Sequence, residues 1–202
     1  MAPNYDVIVV GLGAMGSAAA YTLAVRGLRV LGMDRHRPPH RHDSHHGESR
    51  IIRTAYYEHP GYVPLLERAF AAWQELEERE RAHATLFRRT GGLMIGTSTG
   101  ELVSGVLASA RAHRLPHEVL SSDALAARYP QFRLDPSMIA VWENDAGILD
   151  PEACVRAFLE GARAAKADLR YGEPAQEWTC GPEGVRVRTA RARYSSGALV
   201  LT

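Results

Sequence analysis

The sequence is poor in cysteine, in long apolar runs and in net charge, and each shortage excludes a class of protein. Cys154 and Cys180 are its two cysteines, too few for a disulfide framework and without metal-ligand spacing. No run approaches the roughly 18 apolar residues of a membrane span. The formal net charge is +1, so composition gives no reason to expect a nucleic acid or an anionic membrane as a partner.

The N-terminus lacks the basic segment and apolar core of a secretory signal. Together with the low cysteine content, this predicts a cytoplasmic protein. The chain has 202 residues, of which 46% are hydrophobic and 23% are charged. Such a composition is ordinary for a globular protein of one or two domains.

The N-terminal segment predicts a βαβ unit. Residues 5–10 form a short, nearly continuous apolar run that is typical of a parallel strand buried on both faces. Residues 14–26 are rich in alanine and other helix formers, and Gly27 is placed to cap the end of the helix. Residues 28–34 predict a second strand, and a strand, glycine turn, helix and strand in this order indicate an α/β fold.

The turn between the first strand and the helix fits the pattern G-x-G-x-x-G through Gly11, Gly13 and Gly16. The first glycine permits a tight turn, the second lets a pyrophosphate approach the backbone, and the third lets the helix pack against the strand. Asp34 ends the second strand, where a carboxylate accepts hydrogen bonds from an adenosine ribose. This motif predicts a dinucleotide site without distinguishing NAD from FAD, and Arg35 leaves a phosphorylated ribose open.

The rest of the chain predicts further helices and strands. The expected helices run from Tyr62 to about Arg81, over 101–114, from a Ser122 cap to before Pro130, and from an Asp150 cap with Pro151 to about Lys166. The expected strands cover residues 90–96, 168–171, 175–179, 185–189 and 198–202. Because the last of these is an apolar strand that we expect to be buried, we predict a C-terminally incomplete α/β fold.

The loop over residues 35–50 is rich in histidine, with five of the nine in the chain: His36, His40, His42, His45 and His46. It could be a metal site, a basic surface loop or part of an active site. The histidines lack zinc-site spacing, and Asp43 is the only carboxylate between them, so we expect no metal. We expect His36, His40 and His42 to face solvent.

Several segments carry a family resemblance: YDVIVVGLGAMGSAAAYTLAVRG, SHHGESRIIR, TGGLMIG, DAGILDPEACVRAF and the final ALVLT. They resemble the N-terminal half of the monomeric sarcosine oxidase and N-methyl-tryptophan oxidase family of D-amino-acid-oxidase-like flavoenzymes. The resemblance implies a Rossmann-like FAD-binding domain at residues 1–85 and 146–202, interrupted by an inserted α+β segment at 86–145 that begins a substrate domain. It implies FAD as cofactor, an N-methyl amino acid such as sarcosine as substrate, oxygen as acceptor and hydrogen peroxide as product.

The resemblance also implies roles for individual residues. Ser44, His45, His46, Arg50 and Arg53 match positions beside the flavin. His46 and Arg50 match positions close to the isoalloxazine ring, where a cation stabilises reduced flavin. Arg53 matches the arginine that holds the substrate carboxylate, for which a planar guanidinium is well suited.

The resemblance has two further implications, one for the adenine position and one for residues that the family carries beyond position 202. The backbone of Ala175 matches a position that faces adenine. In the family, a flavin-linking cysteine and functional lysines lie beyond residue 202. The chain could therefore be a catalytically inactive FAD- or dinucleotide-binding fragment, a truncated gene product, or half of a split enzyme whose partner is a separate C-terminal half. A NAD-dependent dehydrogenase is the remaining alternative.

Overall fold

The computed structural model describes residues 4–80 and 85–202 and has a mixed α/β fold. Its helices are α1 (Ala14–Val25), α2 (Val63–Glu80), α3 (Glu101–His113), α4 (Ser122–Arg128) and α5 (Pro151–Ala164). Its strands are β1 (Tyr5–Val10), β2 (Val30–Asp34), β3 (Arg50–Ile52), β4 (Phe87–Arg89), β5 (Gly92–Thr97), β6 (Glu118–Ser121), β7 (Met138–Glu143), β8 (Gly147–Leu149), β9 (Asp168–Tyr171), β10 (Glu177–Gly181), β11 (Gly184–Arg188) and β12 (Arg193–Leu201).

The chain divides into two compact units. The first is drawn from Met1–Ser49, Leu76–Leu86 and Asp150–Thr202, and the second from Arg50–Glu75 and Phe87–Leu149. The assignment of residues 1–85 and 146–202 to a cofactor domain, and of 86–145 to a substrate domain, stays a prediction. None of the described helices is long and apolar enough to cross a membrane.

The first unit is built on a six-stranded sheet in the order β10-β11-β12-β1-β2-β9. β1 pairs in parallel with β2 and β12, and β2 pairs in parallel with β9, whereas β10 and β11 form an antiparallel hairpin beside β12. The predicted parallel pairing of the first two strands is therefore confirmed. Successive side chains of β1 point to opposite faces, so Val7 and Val9 join one apolar core and Ile8 joins another.

Helices α1 and α5 pack against each other over the first of these cores. The predicted start of α5 is confirmed, because the Asp150 carboxylate accepts a hydrogen bond from the amide of Ala153 at 2.9 Å and Pro151 follows the cap. Such a cap stabilises a helix by about 1 kcal/mol. Cys154 lies buried on this helix, and burial raises the pKa of its thiol to about 12. The thiol therefore stays protonated near neutral pH.

The second unit contains two small antiparallel sheets, β5-β7-β6 and β3-β8-β4. Its core includes Ala55, Met94, Val103, Val106 and Val141. β3 is paired along its whole length with β8, since Arg50 lies opposite Leu149 and Ile52 lies opposite Gly147. This pairing fixes the strand that carries Arg50 and immediately precedes Arg53.

Some predicted bounds are wrong, for local reasons. The cap of α4 is Ser121 rather than Ser122, because the Ser121 hydroxyl accepts the bond from the Ala124 amide at 3.2 Å. α5 ends at Ala164 rather than at Lys166. Lys166 has a left-handed φ of 69°, which a right-handed helix does not accommodate. The last strand is longer than predicted and only partly buried. Arg81, the expected end of α2, lies outside the described residues, and β3, β4, β6, β7 and β8 were not predicted.

Candidate functional site

Each of the three glycines in the turn between β1 and α1 suits its position for a different structural reason. Gly11 has φ +93°, in the left-handed region that favours glycine. A Cβ on Gly16 would overlap the carbonyl oxygen of Gly11, so α1 starts directly above the end of β1 only because this side chain is absent. Gly13 is the N-cap of α1 with φ −69°, which any residue adopts. At Gly13, glycine is therefore not needed to relieve backbone strain. The absence of a side chain there leaves open space on the outside of the turn.

The carboxylate of Asp34 ties the end of β2 to this turn. Its Oδ2 accepts a hydrogen bond from the Leu12 amide at 2.7 Å, and its Oδ1 accepts one from the His36 amide at 2.8 Å. Asp34 is 8% exposed, and each carboxylate oxygen accepts two hydrogen bonds. Oδ2 therefore keeps one lone pair with which it could accept a bond from a ribose hydroxyl.

The histidine loop folds onto the N-terminus of α1. The buried His45 accepts a hydrogen bond at Nδ1 from the Ala14 amide at 3.3 Å, which requires an unprotonated Nδ1. The Asp43 carboxylate lies between two histidines, with Oδ2 3.4 Å from Nδ1 of His40 and 3.6 Å from Nε2 of His45. Its Oδ1 lies 3.2 Å from the position that a Cβ on Gly13 would take.

An anion of the chain itself thus occupies the space that Gly13 leaves open. The free amides and the dipole at a helix N-terminus favour negative charge. The expectation that His40 faces solvent is wrong, because its side chain is 15% exposed and its Nε2 lies 3.4 Å from Oδ1 of Asp34. His40 is drawn inward by two carboxylates, Asp34 and Asp43. Among the described residues, no group of three or more His, Cys, Asp or Glu side chains is arranged to hold a metal ion.

The remaining predicted residues of the first unit lie around this turn and loop. Arg35, Ser44 and His46 are exposed, and Nδ1 of His46 lies 2.8 Å from the carbonyl oxygen of Asp43. Ala175 lies in the connection between β9 and β10, half-buried against the core that contains Ile8. That connection contacts the end of β2, because the amide of Glu173 donates to the carbonyl of Asp34 at 3.0 Å.

Arg50 and Arg53 belong to the second unit. Arg50 is exposed at the start of β3. The guanidinium of Arg53 lies over the ring of Tyr56 at 4.6 Å, and its Nη2 is 3.9 Å from Oε1 of Glu58. Among the described residues, Nε of Arg53 is a buried donor without a hydrogen-bond partner. A guanidinium with an unsatisfied donor is suited to binding an anion.

The backbone that follows Arg53 is held by a buried carboxylate that the sequence did not reveal. Glu143, at the end of β7, accepts hydrogen bonds from the amides of Thr54 at 2.6 Å and Ala55 at 3.1 Å. Hydrogen bonds to a charged group contribute about 1.5–3 kcal/mol each. Glu143 thereby fixes the direction in which Arg53 leaves β3.

A cavity of about 650 Å³ lies elsewhere in the first unit, on the sheet formed by β10, β11 and β12. Two of the three arginines that line it are paired with neighbouring acids, Arg186 with Glu183 and Arg188 with Glu177, each at 2.8 Å. None of the predicted site residues lines it. We therefore keep the glycine turn as the candidate site of this unit.

Comparison with known proteins now defines the class of this chain. A profile of the DAO family, described as FAD dependent oxidoreductase, matches residues 6–202. The chain belongs to this family of FAD-dependent oxidoreductases.

Within this family, the chain is similar to two kinds of N-methyl amino acid oxidase. The chain is 44% identical over 202 residues to monomeric sarcosine oxidase from Streptomyces avermitilis, covering 100% of this chain and 52% of the relative. It is 35% identical over 193 residues to N-methyl-L-tryptophan oxidase from Escherichia coli K12, covering 96% of this chain and 52% of the relative. The chain spans about half the length of the curated relatives it matches.

Solved structures of amino acid oxidases share the fold of this chain. The open form of NikD, an unusual amino acid oxidase essential for nikkomycin biosynthesis, is 30% identical with a TM-score of 0.84, over 98% of this chain and 51% of NikD. Glycine oxidase from Geobacillus kaustophilus, at 20% identity and a TM-score of 0.80, shares the fold over 98% of this chain and 55% of its own. The predicted fold class and the predicted family are both confirmed.

The glycine turn fits the pyrophosphate of the family's cofactor, FAD. Gly13 leaves a cradle that a Cβ would fill, the N-terminus of α1 favours an anion, and the Asp43 carboxylate stands in for a phosphate oxygen there. Asp34 is close enough to this turn to bond its Leu12 amide. The residues that would hold the adenosine and pyrophosphate therefore all lie in the first unit.

We expect Gly13→Val to abolish FAD binding while leaving the fold intact. The valine side chain would fill the cradle beside α1, whereas the backbone conformation at Gly13 suits any residue. The free energy of unfolding should fall by about 1 kcal/mol, the scale of a changed N-cap. Flavin content after purification and the urea midpoint measure the two effects. Gly181→Val is the control, because a Cβ there meets nothing within 4 Å; a yellow, stoichiometric Gly13→Val protein would contradict the placement.

We expect Asp43→Asn to bind FAD about 2- to 10-fold more tightly, the range that a charge near a helix N-terminus spans. The substitution removes the negative charge that competes with the pyrophosphate at α1. Titration by flavin fluorescence at low ionic strength measures the change, which should shrink as salt is added. Glu160→Gln, at an exposed position of α5, controls for net charge. Unchanged or weaker binding by Asp43→Asn would show that the carboxylate supports the site instead.

Proposed function

We propose that this chain forms the FAD-binding part and the carboxylate-binding arginine of an amine oxidase that acts on secondary N-methyl amino acids such as sarcosine. The proposal is supported by similarity to monomeric sarcosine oxidase and N-methyl-L-tryptophan oxidase. The observation that carries it is the partly exposed guanidinium of Arg53, stacked over Tyr56, whose Nε has no hydrogen-bond partner among residues 4–80 and 85–202. We also propose oxygen as acceptor, hydrogen peroxide as product and the cytoplasm as location.

When bound, FAD would supply the oxidising power for removal of a hydride equivalent from the carbon next to the substrate nitrogen. Overall, the secondary amine, oxygen and water become a primary amine, an aldehyde and hydrogen peroxide. The first unit would hold FAD through Gly11, Gly13, Gly16 and Asp34, with contributions from the residues Arg35, Ser44, His45 and Ala175. His46 and Arg50 would place positive charge or a proton donor near the flavin ring.

Arg53 has the chemistry to bind and orient the substrate. Its guanidinium keeps its charge at any physiological pH, and stacking over Tyr56 at 4.6 Å leaves the donors at its edge available for a carboxylate. Glu143 holds the following amides and so limits the freedom of this side chain's backbone. Fixing the carboxylate orients the neighbouring carbon, which is the part of catalysis that positioning supplies.

A peroxide assay tests the proposed function. The purified chain is tested alone and co-expressed with the second half of the Streptomyces avermitilis relative, because the chain spans about half of that protein. We expect bound flavin in both samples, and peroxide from sarcosine or N-methyl-tryptophan, but not from glycine, in the complemented one. Bound flavin without peroxide in either sample would indicate an inactive FAD-binding fragment. NADH binding without flavin would indicate a dehydrogenase, which the family match does not favour.

We expect Arg53→Lys to weaken substrate binding by about 1–3 kcal/mol, since lysine keeps the charge but loses the planar fork. Flavin reduction at saturating substrate should change less. Stopped-flow reduction of the complemented enzyme gives both quantities. Arg50→Ala is the comparison variant, with a substrate affinity closer to the parent and slower reoxidation by oxygen. An unchanged substrate dissociation constant in Arg53→Lys would remove this role from Arg53.

A further inference from the structure

A second buried carboxylate, in the first unit, has no part in the chemistry above. Glu173 is 3% exposed, and its Oε1 accepts hydrogen bonds from the hydroxyls of Thr189 at 2.7 Å and Tyr194 at 2.8 Å. Arg191 lies further away, with Nη1 3.9 Å from Oε2. A buried carboxylate is costly unless it is hydrogen-bonded, so this network is a specific structural arrangement rather than a solvated surface group.

The network joins three parts of the first unit. The amide of Glu173 donates to the carbonyl of Asp34, at the end of β2. Thr189 also accepts at its hydroxyl from the amides of Arg191 at 3.1 Å and Ala192 at 3.0 Å, which shapes the turn between β11 and β12. Glu173 thus ties the β9–β10 connection both to the strand that ends in Asp34 and to this turn.

The segment held in this way contains Ala175. On one side Glu173 is fixed through its amide and its carboxylate, and Pro174 follows with a restricted φ. On the other side the amide of Gln176 donates to the carbonyl of Arg188 at 2.9 Å. Within residues 4–80 and 85–202, the amide of Ala175 donates to no partner. A fixed, half-buried peptide with an available donor is suited to recognising a ligand.

We propose that Glu173 is a positioning residue for the cofactor, holding the peptide at Ala175 in the orientation that binds the adenine ring. This inference rests on the proposed function and on the family resemblance, which implies that the backbone of Ala175 faces adenine. A peptide N–H and C=O complement the acceptor N1 and the donor amino group of adenine. Hypoxanthine presents a donor at N1 and an acceptor at O6, so a correctly oriented peptide should discriminate against it.

Tyr194 acts as the donor to Glu173 over a wide pH range. Burial and then the hydrogen bond to Glu173 raise the pKa of the Tyr194 hydroxyl above its ordinary value. The hydroxyl therefore stays protonated at neutral and moderately alkaline pH. We expect the arrangement at Ala175 to be insensitive to pH in that range.

The test compares ADP with inosine diphosphate by isothermal titration, because both carry the same ribose and phosphates. The parent chain should prefer ADP. Glu173→Ala should raise the ADP dissociation constant about tenfold, the scale of one lost hydrogen bond, with little change for inosine diphosphate, so the preference falls. Glu173→Gln keeps one carbonyl acceptor for the two hydroxyls and should recover part of the preference. Tyr194→Phe, which removes one donor and little volume, should lower it by a smaller factor.

Glu177→Ala is the matched control, an exposed acid on β10 whose partner is Arg188. It should leave the preference for ADP unchanged. Equal weakening of both nucleotides by Glu173→Ala and Tyr194→Phe would overturn the inference, because a general loss of structure affects both ligands alike. An unchanged preference in these variants would overturn it as well. A parent chain that binds neither ADP nor FAD would instead contradict the proposed function.

Discussion

The close approach of α1 to the end of β1 is the constraint on which the candidate cofactor site depends. A Cβ on Gly16 would overlap the carbonyl oxygen of Gly11, so this approach requires glycine. It brings the N-terminal amides of α1 to the carboxyl end of the parallel strands, where β2 ends in Asp34. The carboxylate of Asp34 then bonds the Leu12 amide inside the turn. Helix, strand and acid are fixed together, and the N-terminus of α1 makes this place attractive to an anion.

Buried carboxylates organise three of the segments to which we assign a ligand. Asp34 holds the glycine turn, Glu143 holds the backbone after Arg53, and Glu173 holds the backbone beside Ala175. In each case the acceptors are carboxylate oxygens and the donors are amides or hydroxyls. Loops are otherwise the most variable part of a fold. A single carboxylate that accepts two hydrogen bonds can hold such a segment in one conformation.

The parts of this molecule that could be predicted from sequence are those whose cause is local. The β1 run, the tight turn at Gly11, the close packing at Gly16 and the Asp150 cap each depend on a few neighbouring residues, and all appear in the structure as expected. Glu143 could not be found, because its partner Thr54 is 89 positions away and β7 itself was not predicted. Glu173 and Asp43 were missed for a similar reason. Their roles depend on strands and a helix that meet only in the folded chain, so no spacing in the sequence marks them.

The histidine loop was recognised from its local sequence, but its contacts form only in the folded chain. Its composition suggested a metal site, a basic surface or an active-site loop. In the structure, the rings of His36, His40 and His42 contact one another. His40 also lies beside the carboxylates of Asp34 and Asp43, and the buried His45 accepts a hydrogen bond from α1. The Asp43 carboxylate lies between His40 and His45, and its Oδ1 lies next to the space beside Gly13 where a cofactor phosphate would bind. If the pyrophosphate binds at α1 as we propose, this carboxylate would have to move away from Gly13 when the cofactor binds. Ser44 and His46 follow Asp43 in the chain, so the same movement would set the position of the residues assigned to the flavin.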